Sequence, residues 1–165
     1  MTDQIDAGLA PVSVETLMLR AAADGRWSYR RLTAALGRGE SPDEVARRLA
    51  GLSVNEPSTV VHSTSWRHRP EGQIVLTYAV CPDPEPHLPA EELPVLHIAQ
   101  GSAPAAPAPE RIDTTNVASH AVRHLAFLMA TDAVVRRALL NHPLIARTLE
   151  GLAPLTMARL EDIPA

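Results

Sequence analysis

Two runs rich in β-branched and aromatic residues, "STVVHSTSWR" and "QIVLTYAVC", flank Pro70-Glu71-Gly72. Runs of that kind around a Pro/Gly turn predict a β-hairpin over residues 58–81. The hairpin constrains the fold more than any other feature, because its register decides which side chains share a face. With Arg69 opposite Gln73, the register pairs Trp66 with Leu76, Thr64 with Tyr78, and His62 with Val80. One face then carries Val60, His62, Thr64, Trp66, Ile74, Leu76, Tyr78 and Val80. That face is the more apolar one and is expected to turn toward the core. A slip of one residue would reverse the assignment for one strand.

The chain before the hairpin reads as helical over 1–54. Ser13 can cap "VETLMLRAAAD", which stops at Asp24-Gly25, and Ser28 can cap "YRRLTAAL", which stops at Gly37. "SPDEVARRLAG" has the sharpest boundaries: Ser41 as N-cap, Pro42 at the first helical position, Glu44 completing a capping box, and Gly51 as the stop. The β region spans 55–100. Within it "CPDPEPHLPAEELP" reads as an irregular proline-rich loop and "VLHIAQ" as a short strand. A Pro/Ala-rich loop follows over 101–115. Residues 116–162 turn helical again. Val117, Ala121, Leu125, Leu128 and Met129 form one stripe, Thr131-Asp132 interrupts it, and "PLIARTLEG" and "PLTMARLEDI" follow.

At 165 residues the chain is long enough for one domain with a core. Aromatic content is 3%, so Leu, Val, Ala and Ile must build that core. The formal net charge of −4 argues against general nucleic-acid binding. Cys81 is the one cysteine, which excludes an intrachain disulfide, argues against a cysteine-based metal cluster and fits a reducing cytoplasm. The first residues lack a signal peptide's basic start and apolar run, and no apolar run reaches spanning length.

Chemistry can be placed at two clusters. His62-Ser63-Thr64 puts an imidazole and a hydroxyl at i and i+2 on a strand, a pairing suited to proton transfer beside an anionic oxygen. His62 and Thr64 are therefore the candidate catalytic residues. Trp66, Tyr78 and Arg67 of the same hairpin are the candidate ligand-binding residues. His120 and His124, four apart on a helix, can reach one divalent metal ion. A third ligand would come from His62, Asp113 or Asp132. Otherwise no cofactor is expected.

Three resemblances bear on function. The tripeptide His62-Ser63-Thr64 resembles half of the paired H-x-T/S signature of two-histidine phosphoesterases, which implies phosphoester hydrolysis. No second such motif follows, since His97 precedes Ile98-Ala99. "SPDEVARRLAGLS" resembles the second helix and turn of a helix-turn-helix domain, which implies phosphate contacts from Arg20, Arg26, Arg30, Arg31 and Arg38. Pro57 and a β-branched run stand where the recognition helix belongs. "VHSTSWR", "VLTYAV" and "SHAVRHLAFL" together are similar to a group of conserved actinobacterial proteins, a resemblance that implies no activity. A Nudix-like scaffold is conceivable, but the closely spaced glutamates of that family are missing.

The expectation is one α+β domain over 1–165, with N-terminal helices, a small mostly antiparallel sheet, and C-terminal helices on one of its faces. The expected function is a non-enzymatic accessory or protein-binding role in the bacterial cytoplasm, with a protein partner or a second copy. The alternatives are a small hydrolase, metal-dependent or acting on phosphoesters, using His62 with His120 and His124, and DNA binding through the arginine-rich N-terminal helices.

Overall fold

The computed structural model describes residues 11–93 and 113–152. Its first two elements overturn the expected N-terminal helices. β1 (Val12–Ala21) and β2 (Trp27–Ala35) are strands of one antiparallel hairpin. The cause lies in the position of β1, which is central in the sheet. Val14 and Met18 pack on one face of it, and Leu17 and Leu19 on the other. A strand buried on both faces reads as a continuous apolar run with no period of two, and its 14-17-18 spacing mimics a helical stripe. Asp24-Gly25, read as a helix stop, is the hairpin turn. Gly25 sits at φ +86°, and its N–H donates to Ala22 O at 2.9 Å.

α1 (Pro42–Ala50) forms as its caps require. Ser41 Oγ accepts from the Glu44 N–H, Glu44 accepts from the Ser41 N–H, and Gly51 closes the helix at φ +71°. β3 (Val60–His68) and β4 (Ile74–Cys81) are the anticipated hairpin. Its three-residue loop closes with Arg69 N–H donating to Gln73 O at 2.7 Å and Gly72 N–H donating to Arg69 O at 2.9 Å. β5 (Glu91–Leu93) is a short strand within the stretch expected to be irregular. It pairs with Trp27–Tyr29 alone, so the rest of β2 has no strand on that side among the described residues. The helices α2 (Thr114–Thr131), α3 (Ala133–Leu140) and α4 (Pro143–Leu152) complete the order, with Asp132 breaking and recapping the chain between α2 and α3. The strand expected at 95–100, the helix expected at 154–163 and residues 101–112 of the loop expected over 101–115 lie outside the described residues, and the end of that loop is instead the start of α2 at Thr114.

The sheet has five strands in the order β3-β4-β1-β2-β5, and it is mixed, because β1 and β4 run parallel while the other three pairings are antiparallel. α1 makes the crossover between the two hairpins and covers one face, where Val45 and Ala46 meet Val14 and Tyr78, and Ala50 meets Met18 and Val80. α2, α3 and α4 cover the other face. Leu125, Leu139 and Leu149 pack there with Leu17, Leu19, Trp27 and Tyr29. Each fully buried Leu or Val stabilises by about 1.5–3 kcal/mol, so the two layers hold the sheet from both sides.

The expected hairpin register holds from Arg69 down to Ser65 and then shifts. Trp66 faces Leu76 and Ser65 faces Thr77, but Ser63 faces Tyr78 and His62 faces Ala79. Thr64 is the extra residue of a β-bulge. The bulge moves His62 to the face under α2, while Trp66 stays on the α1 side with Leu76 and Tyr78. The expected common face for His62, Thr64 and Trp66 therefore does not form.

Candidate functional site: a histidine cluster at an open sheet edge

β3 ends the sheet and has no strand on its outer side among the described residues. The bulge and α2 together assemble the site beside that edge. His62 comes from β3, and His120 and His124 come from one stripe of α2. The His62 and His124 ring centroids lie 5.6 Å apart, and those of His120 and His124 lie 6.1 Å apart. Phe127, one turn further on, stands 6.2 Å from His124 and is 54% exposed.

Two of the rings are fixed by backbone carbonyls. His62 Nδ1–H donates to Ser63 O at 2.8 Å. His120 Nε2–H donates to Thr64 O at 3.2 Å, the carbonyl of the bulged residue. Carbonyls only accept, so each of these nitrogens carries the proton. The acceptor nitrogens of the neutral rings are then His62 Nε2 and His120 Nδ1. His124 has no hydrogen bond among the described residues. Burial pushes its pKa below the ordinary histidine value, and the neighbouring His62 and His120 push it the same way. His124 is therefore held in its neutral form at neutral pH.

The other expected site residues are placed elsewhere. Thr64 is buried, with its hydroxyl donating to Thr77 O at 3.4 Å. Tyr78 lies under α1, where its hydroxyl donates to Asp43 Oδ1 at 2.6 Å. Burial, then the hydrogen bond and charge of Asp43, raise its pKa. Trp66 is 67% exposed on the opposite face from His62. Arg67 is committed to a fully buried carboxylate. Its Nη1 and Nη2 donate to Glu15 Oε1 and Oε2 at 2.9 and 3.0 Å, a bidentate pair that Thr77 Oγ1 and Arg31 Nε extend. Burial alone would raise Glu15, but the hydrogen bonds and charges of Arg67 and Arg31 outweigh it and hold the carboxyl below its usual range.

A second ion network was equally hidden in the sequence. Asp83, two residues past Cys81, accepts from Arg20 Nε at 2.7 Å and from Arg30 Nε and Nη2 at 2.8 Å. Its pKa is lowered, because Arg30, the Glu85 N–H and Arg20 overcome the effect of burial. The arginines expected to reach DNA phosphates are thus held by carboxylates at positions 20, 30 and 31, on strands rather than helices. A glutamate inside the apolar run of β1 was the available signal for the first network, and strand pairing supplied its partners.

Among the described residues, no group of three or more His, Cys, Asp or Glu side chains is arranged to hold a metal ion. Cys81 is buried, and burial pushes its thiol up to about 12. A pocket of about 660 Å³ opens along the unpaired half of β2, between Arg31, Leu32, Leu88, Glu91 and Thr114. Another of about 480 Å³ lies between Asp24, Gly25, Leu144 and Arg147. Neither contains the histidines. No described helix is long and apolar enough to cross a membrane.

Comparisons with protein-family models, with curated proteins and with solved structures find no match.

Proposed function

We propose that this chain is a non-enzymatic protein-binding module that receives an extended segment along the outer edge of β3. One observation carries the reading. A nine-residue edge strand is flanked by a solvent-exposed indole on one face and by a helix stripe of His120, His124 and Phe127 on the other. An unpaired edge offers backbone donors and acceptors in register, and flanking side chains supply selectivity. The edge geometry gives the positions. Arg69 and Gln73 form a hydrogen-bonded pair, so Trp66 and His68 fall at alternate, non-bonded positions and turn their N–H and C=O groups outward. Cys81, the only cysteine and buried, fits work in the reducing cytoplasm.

A peptide-library selection against the full-length chain tests the reading. Selected peptides should shift the backbone amides of Trp66 and His68 and should bind Trp66→Ser at least about tenfold more weakly. Peptides that perturb only residues remote from β3 would remove the edge from consideration. Phosphoester or ester turnover abolished in His62→Ala would replace the binding role with catalysis.

The converging rings favour one other reading, a divalent metal held by His120 and His124 with His62. It requires rotation of the rings from their present positions. Equilibrium dialysis against zinc decides it: stoichiometric binding lost in His120→Ala with His124→Ala supports it, and binding unchanged by those substitutions rejects it.

A further inference from the structure

Resting on the edge-binding reading, we propose that the segment taken up by β3 is acidic. The argument is one of charge placement. β3, β4, α2 and α3 contain no Asp or Glu, in a chain that holds 19 of them and carries a net charge of −4. The same four elements hold Arg67, Arg123, Arg136 and Arg137 together with four histidines. Among the described residues, these elements gather at one corner of the fold and carry no acid within their own spans.

That corner is the β3 edge and its helical flank. His120, Arg123, His124 and Phe127 recur at i, i+3, i+4 and i+7, which is one stripe of α2. Arg123 is exposed, as are His68 and Trp66 on β3. Arg67 is neutralised by Glu15, so Arg123 carries the excess charge at the edge. The carboxylates flanking these elements do not cancel it. Glu56 accepts from Ser53, Glu71 sits in the far hairpin turn, and Asp132 caps α3. The bulge at Thr64 confines regular pairing to Ser65–His68. A segment paired there and running past the bulge meets His62, His124 and Arg123 with its alternate side chains. A carboxylate at those positions finds complementary charge at Arg123.

Among the described residues, the rings beside His124 are His62 from β3 and His120 and Phe127 from its own helix.

Fluorescence anisotropy with labelled (Glu-Thr)5 and (Lys-Thr)5 peptides on the full-length chain, at about 50 mM salt, tests the proposal. The Glu-Thr peptide should bind at least about tenfold more tightly. The exposed substitution Arg123→Glu, which leaves the core untouched, should weaken Glu-Thr binding. Equal affinity for both peptides, with shifts on Trp66 and His68, would overturn the acidic preference and leave the edge reading standing. Binding of neither peptide would also overturn the acidic preference, while the library selection judges the edge by itself.

Discussion

The rings of His62 and His124 meet with centroids 5.6 Å apart across the joint between β3 and α2, although 61 intervening positions separate them in the chain. Burial and the neighbouring His62 and His120 favour the neutral form of His124, which sets the first expectation. His124 has its folded pKa below the ordinary value near 6.5, so the unfolded chain binds more protons around that pH. Stability is then full above about pH 7 and falls as the pH drops through about 6.5 toward the folded value. Urea unfolding at pH 7.5 and pH 5.5 should show the loss, and His124→Gln should flatten it. A wild-type midpoint constant across that range would refute the assignment.

Glu15 and Asp83 act in a separate window. Both have folded pKa values held below the ordinary carboxylate range, so their contribution is present above about pH 4 and is lost as the pH falls below it, toward their folded values. Glu15→Ala leaves the half-buried guanidiniums of Arg67 and Arg31 without their anion and should cost roughly 3 kcal/mol. The double variant Glu15→Leu with Arg67→Leu should recover part of that cost, because an apolar pair of similar volume avoids desolvating charge. Chemical denaturation of the two variants checks the order. Equal losses would mean that the ion pair is not the source.

Asp83 ties β1 and β2 to the loop after β4 through Arg20 and Arg30, and Arg20 Nη2 also donates to the carbonyls of Glu85 and Leu88. Asp83→Ala should cost about 2–4 kcal/mol and raise amide hydrogen exchange over 83–90. Unchanged exchange in that loop would show that the arginines do not hold it.

Trp66 separates binding from folding. It is exposed, so Trp66→Ser should change stability by no more than about 0.5 kcal/mol. The same substitution is expected to weaken capture of an extended segment at least about tenfold. A large drop in melting temperature would place Trp66 in the core rather than at an interface.

Local signals were legible where the backbone itself enforces them. Ser41, Pro42, Glu44 and Gly51 bound α1 because each satisfies a specific end of a helix. Asp132 breaks α2 from α3 by capping the latter with its side chain. The Pro70-Glu71-Gly72 turn fixed the hairpin and its first few pairs. β1 and β2 were misread as helices because a strand covered on both faces loses the alternation that identifies it. The Asp24-Gly25 dipeptide fits a hairpin turn as well as a helix stop, and only the flanking pairing separates the two.

By itself the sequence determined one capped helix, one hairpin, the C-terminal helices and a core built with few aromatics. These follow from local hydrogen-bonding needs and from apolar spacing along a single element. The tertiary structure alone decided which side of β3 His62 occupies, since a bulge at Thr64 reverses the alternation without leaving a trace in residue type. It alone brought His62 to His124, Glu15 to Arg67, and Asp83 to Arg20 and Arg30, because those contacts are between elements far apart in the chain. The stretch "VVHSTSWRH" spelled out the side chains at the edge, and the packing of α2 against it made them a cluster.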